Sequence, residues 1–393
     1  MTLTVLFDLD DTLLKSHMGS FLPAYFSGLG QTLAQLGSQE KIKKQIRYAV
    51  GEMVANQDPS KYLKEIFASN FYAPLRTTES ECQPALDRFY TEEFPKFRSL
   101  VSQNPKAKLL IKWCQSQQMK LAITTNPLFP ETATRQRIEW AGLDPQDFIF
   151  FSTYDNFHFT KPNFRFYAEA LGRLGWPEDS LVMVGDDLTL DLLPAEQMGL
   201  ATFWIDPEID SANRPHGTLA DAQDFLSSLH HKKEVLKLSN DPEVLLAVLR
   251  STPAVINTWL DDYDSGILHQ PPAKDEWSVN EVFWHLADFE ERVYLPQWEQ
   301  LLINPNQPVS HVETSHWAEA HDYASREPKK AWERFMRSRN SSLEIINALF
   351  EKGLFEIFVH HTVFSETQIS ELVAFAAKHD RLHLRQCAES LKI

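Results

Sequence analysis

The chain has 393 residues, with 38 basic against 54 acidic side chains and a net charge of −16. That length gives two domains, or three, each able to bury its own core, and an acidic balance with no basic block argues against nucleic acid or anionic membrane as partners. The three cysteines, Cys82, Cys114 and Cys387, are too few and too scattered for a disulfide framework and fit a reducing cytoplasm; no apolar run approaches the roughly 18 residues of a membrane helix, and the first residues lack the pattern of a signal peptide.

The first element is an apolar, strand-like run, Thr2–Phe7, which ends in Asp8-Leu9-Asp10-Asp11-Thr12. Two carboxylates at i and i+2 in an extended loop can aim at one site, one as nucleophile and one as general acid then base. Alone, the pattern is also that of a solvated turn. Residues from about Ser16 to Leu100 carry helical patterns, such as Lys41–Asn56 and Pro84–Phe97, and no good strand, which predicts a helical lid or cap. Its Lys41, Lys43, Lys44 and Arg47 suit either a solvated face or an anionic substrate.

Strand-length apolar runs then recur at Leu121–Thr124, Phe148–Ser152, Leu181–Val184 and Ala201–Ile205, with helical stretches such as Pro130–Gly142 and Asn163–Leu174 between them. The alternation predicts an α/β domain over about 1–229, with a parallel sheet, helices on both faces and its chemistry at the carboxyl ends of the strands. Three further polar groups fall at such ends: Thr125-Asn126, Lys161-Pro162, and Gly185-Asp186-Asp187 through Asp191. Phosphoryl transfer needs this set, namely a nucleophile, a hydroxyl and a cation on the phosphate oxygens, and a hard metal held by carboxylates.

A polar stretch, residues 230–241, reads as a linker. From 242 to 393 the pattern is helical, with no convincing strand. Helix starts are expected near Thr252, ahead of Pro253, at the capping box Ser278-Val279-Asn280-Glu281, at Pro328 and near Thr367. Four helices predict an all-α four-helix bundle. His379 and His383 lie one turn apart, and His285 shares a stripe with Val282, Leu286 and Phe289. All three are expected to point inward, as metal ligands or as satisfied core histidines.

Residues 1–229 resemble the haloacid dehalogenase superfamily, in the branch with a helical cap between its first and second motifs. The resemblance implies a phosphatase acting on a small phosphorylated metabolite. Asp8 would form an aspartyl-phosphate, and Asp10 would protonate the leaving group and then activate water. Thr125, Asn126 and Lys161 would hold the phosphoryl group. Mg2+ would sit on Asp8, the Asp10 carbonyl and Asp186, with Asp187 or Asp191 in support. The second acid, Asp10, favours phosphatase over dehalogenase. Residues 240–393, through Trp277–Asp288 and Ala377–Gln386, resemble the DinB-like four-helix metalloproteins, implying Zn2+ or Ni2+ on His285, His379 and His383. His361 lies near that site without being a ligand, and a glycine is frequent where Ser365 stands. This resemblance allows a homodimer, and thiol-dependent transferase or isomerase chemistry in the bundle as the main activity. A scaffold that binds a phosphometabolite without catalysis is the remaining alternative.

Overall fold

The computed structural model describes residues 3–178, 180–206, 214–232 and 237–393. Thr2 of the expected first strand and residues 233–236 of the expected linker lie outside them. The chain forms two compact units, Met1–Tyr167 with Pro177–Leu238, and Ala168–Trp176 with Ser239–Ile393. Among the described residues no helix is long and apolar enough to cross a membrane.

The first unit is built on a parallel sheet of β1 (Thr4–Phe7), β2 (Lys120–Ile123), β3 (Leu181–Gly185) and β4 (Ala201–Trp204), in the order β2-β1-β3-β4. β1 and β3 are buried along their whole length, so they read as continuous apolar runs rather than alternating ones. Phe7 pairs with Ile123 on one side and with Val184 on the other. Asp8, Thr124 and Asp186 therefore leave the sheet at the same end, beside the strand where the order reverses, which is where such sheets bind ligands.

The stretch 148–152 is not a regular strand. Ile149 donates to the Leu121 carbonyl at 2.8 Å and Ser152 to that of Ile123 at 2.9 Å, with a single bridge between Ile123 and Phe151. It runs along the edge of β2, where no second neighbour enforces the pleat.

The insertion after β1 is helical, as expected. It holds α1 (Met18–Thr32), α2 (Gln39–Ala55), α3 (Leu63–Phe71) and α4 (Glu79–Arg88), and closes through a π-type turn and a 3-10 stretch, Phe94–Leu100. A two-residue antiparallel pair, Leu14–Lys15 with Ser102–Gln103, joins its ends. In α2 the Ser38 hydroxyl caps the Lys41 amide, and Ile42, Ile46, Ala49 and Met53 form the buried stripe. Burying each of the three larger side chains contributes about 1.5–3 kcal/mol. That stripe turns Lys41, Lys44 and Arg47 to solvent, while Lys43 pairs with Glu40 at 3.8 Å. The remaining helices of this unit are α5 (Pro105–Ser116), α6 (Glu131–Trp140), α8 (Leu193–Met198) and α9 (Leu219–Lys232), and α7 (Phe164–Arg173) begins in it and continues as residues of the second unit.

The second unit is a four-helix bundle. Its rods are α10 (Pro242–Asp262); α11 (Val279–Phe289), continued through a π-type turn into α12 (Leu295–Ile303); α13 (Pro328–Glu351); and α14 (Ile369–Leu391). Both α10 and α11 pack on α13 and α14. The capping box at Ser278 forms as expected, with the Glu281 carboxylate accepting from the Ser278 amide at 2.8 Å.

Two expectations fail here. No helix starts at Thr252: α10 begins at Pro242, capped by Asp241, and Pro253 lies inside it. Proline supplies no amide to the carbonyl four residues back, and Leu249 O instead accepts from Arg339 Nη1 at 2.8 Å. The connection before α14 is also not strand-free, since β5 (Phe358–His361) and β6 (Ser365–Gln368) form an antiparallel ribbon. Ser365 opens β6 at φ 59°, in the left-handed region that glycine adopts most readily.

Candidate active site and metal centre

Asp8 is the first residue past β1 and is buried. Its Oδ1 accepts from Lys161 Nζ at 2.7 Å, and the same ammonium donates to Asp191 Oδ1 at 2.5 Å. Asp186, just past β3, accepts from the Thr12 hydroxyl at 3.1 Å. Carboxylate oxygens of Asp8, Asp186 and Asp191 lie within 4.8 Å of one another.

Burial pushes the Asp8 carboxyl well above the usual range; Lys161 opposes this, while Asp191, Asp186 and Asp10 add to it. Asp186 is pushed up to about 7, first by burial and then by the charge of Asp191. Burial alone would lower Lys161, but Asp191 and Asp8 outweigh it and hold the ammonium charged. Three acids around one ammonium carry an excess of negative charge when all are ionised. A divalent cation on hard oxygen donors would balance it, so this donor set fits Mg2+.

The two auxiliary acids separate by role. Asp187 is spent as a cap, accepting from the Thr189 and Leu190 amides at 2.8 and 2.9 Å. Asp191 turns back towards Asp8 and packs over Gly185, where an added Cβ would stand 2.6 Å from the Asp191 Cβ.

The Asp10 carboxylate lines the same cavity as the acid trio. Ser16 Oγ donates to its Oδ1 and Arg137 Nη2 to its Oδ2. Arg137, from α6, is fully buried. Its guanidinium lies over the rings of Phe129 and Phe21, 4.5 and 5.7 Å from their centroids, and its Nε and Nη1 have no hydrogen-bond partner. Sequence reading missed this residue.

Above the acids lies a cavity of about 420 Å³, within the roughly 300–1,000 Å³ of ligand sites. Thr125, Asn126, Lys161 and all the acids just described line it, and Asn126 Oδ1 is buried without a partner. The basic run of α2 does not line it.

In the bundle, His285 on α11 meets His379 and His383 on α14, with ligand nitrogens within 4.8 Å of one another. His285 Nε2 and His379 Nε2 are 3.2 Å apart, near the roughly 3.3 Å expected of two nitrogens about 2.0–2.1 Å from one tetrahedral metal. Burial first, then the charge of His383, lowers His285 to about 3. Burial also lowers His379 and His383, so all three are neutral near pH 7, the form that ligates metals. Gln386 Oε1 lies 3.1 Å from His383 Nδ1 and can fix its tautomer. His379 Nδ1 is buried without a partner. Just beneath, Arg339 binds Asp380 Oδ2 and Glu290 Oε2, both at 2.6 Å. His361 lies apart from the trio, accepting from the Val363 and Phe364 amides.

The model of the haloacid dehalogenase-like hydrolases matches residues 2–199. The chain belongs to this family. Of its curated relatives, a glyceraldehyde 3-phosphate phosphatase from Methanothermobacter thermautotrophicus is 38% identical over 64 residues, 16% of this chain and 28% of the relative. A ribulose-1,5-bisphosphate 5-phosphatase from Halopiger xanaduensis is 28% identical over 225 residues, 54% of this chain and 87% of the relative. A solved haloacid dehalogenase-like phosphatase from Thermococcus onnurineus is 21% identical, covering 57% of this chain and 98% of that one at a TM-score of 0.39. The DinB superfamily model matches residues 249–387 of this hydrolase, the part that folds as the bundle.

Proposed function

We propose that the chain is a Mg2+-dependent phosphatase that hydrolyses a small phosphate monoester through Asp8. The observation that carries this reading is the convergence of Asp8, Lys161, Asp186 and Asp191 on a ligand-sized cavity, with all but Asp186 buried. Lys161 holds Asp8 Oδ1, leaving Oδ2 to attack phosphorus in line with the leaving oxygen. Asp10 gives its proton to that oxygen, and the ester bond breaks as the aspartyl-phosphate forms. Asp10 then takes a proton from the water that attacks this intermediate, releasing phosphate and restoring Asp8. The Thr125 hydroxyl, Asn126 and Lys161 bind the phosphoryl oxygens. Mg2+ would be held by Asp8, Asp186, Asp191 and the Asp10 carbonyl, and would offset the charge on the transferred group. The names of both curated relatives, each a phosphatase of a sugar phosphate, support a small phosphorylated metabolite as substrate. The three cysteines, all buried and free, suit a reducing cytoplasm.

The deciding experiment is hydrolysis of p-nitrophenyl phosphate with and without Mg2+, for wild type and Asp8→Asn. Magnesium-dependent turnover that vanishes in the variant supports the reading. Turnover shared equally by both proteins removes Asp8 as nucleophile.

The bundle carries a second reading on its own observation, the converging neutral imidazoles with His379 Nδ1 left unpartnered. His285, His379 and His383 would hold Zn2+ or Ni2+, which could activate a bound thiol or water. Transferase or isomerase chemistry there is the alternative main activity. A non-catalytic scaffold is the weaker alternative, because mere binding needs neither a buried nucleophile nor a second acid held beside it.

A further inference from the structure

The wall of the hydrolase cavity that faces the acids is apolar. Met18, Leu22 and Phe26 of α1, Val50 of α2, and Leu128 and Phe129 after β2 supply it. Tyr25 completes the wall, and its hydroxyl is engaged with that of Tyr90 at 2.8 Å. The opposite wall carries Asp8, Asp10, Asp11, Asp186, Asp187 and Asp191, with Lys161 as the one cation among the described lining residues. That ammonium is already divided between Asp8 and Asp191. The Arg137 guanidinium is paired with Asp10 and does not line the cavity.

We infer, on the basis of the phosphatase reading, that this site selects monophosphate esters of small apolar, uncharged alcohols and rejects bisphosphates. One phosphoryl group has a place, between Lys161 and Thr125. A second would lie among carboxylates or against hydrocarbon, and no cation of the described lining is left to offset its desolvation, Lys161 being already engaged. A polyhydroxylated body fares little better, because the hydroxyls it turns to the apolar wall would meet side chains that offer no partner. The walls thus assign a different substrate class from those in the names of the two curated relatives.

The test compares kcat/KM for hexyl phosphate, glycerol 3-phosphate and fructose 1,6-bisphosphate with Mg2+, in wild type, Val50→Lys and Phe26→Ser, with p-nitrophenyl phosphate and Asp8→Asn as controls. Hexyl phosphate should exceed both other esters by at least about tenfold, the scale of discrimination a few methylenes give in an apolar pocket. Val50→Lys should lower that preference by adding a cation to the wall, and Phe26→Ser should lower it by removing hydrocarbon. The inference is overturned if Asp8-dependent turnover of the bisphosphate equals or exceeds that of hexyl phosphate, or if both wall variants leave the ratio unchanged. No turnover of any ester, or turnover that survives Asp8→Asn, overturns the phosphatase reading, and this inference with it.

Discussion

Arg137 brings a permanent charge into an aromatic shell and meets one carboxylate there, that of Asp10. Planar guanidinium against carboxylate fixes orientation as well as charge, so Arg137 is read as a positioning residue for the proposed acid. Arg137→Met should lower kcat on hexyl phosphate roughly tenfold or more, because an alkoxide needs the proton that a general acid supplies. The nitrophenolate of p-nitrophenyl phosphate leaves without one, so its turnover should fall much less, and Arg137→Lys should restore part of the loss. Equal loss on both esters would reduce Arg137 to packing. In the sequence, Asp8, Lys161 and Asp186 stand out because each follows an apolar run or sits in a turn, where a polar group needs a reason. Arg137 gives no such signal: it lies in mid-helix between Gln136 and Ile138, and only the fold shows that this face of α6 points inward.

The passage from β3 into α8 shows how a short segment serves two ends. Asp187 caps the turn while Asp191 reaches back to Lys161, and this close return requires that Gly185 have no side chain. Gly185→Ala should therefore push Asp191 away from Lys161. A displacement of about 1 Å in such a site costs roughly 10²-fold in rate, so kcat should fall on that scale while the circular dichroism spectrum stays native. The helices of the cap and the capping box of α11 were legible because their signals are local. The start of α10 was not, because Thr252-Pro253 carries the local signature of a helix start. What overrides it is Arg339, far away in sequence, whose guanidinium supplies the donor missing at Leu249. The β5–β6 ribbon escaped notice for a related reason. Its alternation is confined to four residues a side, and Ser365 holds a backbone angle usually left to glycine.

At the scale of the whole molecule, two sets of chemically opposite donors occur in one chain. Hard carboxylate oxygens cluster in the hydrolase unit and borderline imidazole nitrogens in the bundle, so different metals should sort between them without competing. After chelation and reloading, wild type should take up stoichiometric Zn2+ or Ni2+ by elemental analysis, and His379→Ala should not. Asp8-dependent turnover of p-nitrophenyl phosphate with Mg2+ should be the same in both proteins. Failure of wild type to retain either metal would remove the bundle centre, and a fall in turnover on His379→Ala would mean that the two chemistries are linked.

The short pair Leu14–Lys15 with Ser102–Gln103 has a consequence for how such a chain can change over time. The cap leaves and re-enters the core at neighbouring points, so the core experiences it as one closed loop. The entropy of closing a flexible loop rises by only about 0.6 kcal/mol for each doubling of its length. Residues 16–101 therefore behave as an exchangeable cassette. They can lengthen, shorten or be replaced, along with the wall residues Met18, Leu22, Phe26 and Val50 that they lend to the cavity, while the strand ends that hold Asp8, Lys161 and Asp186 stay where they are.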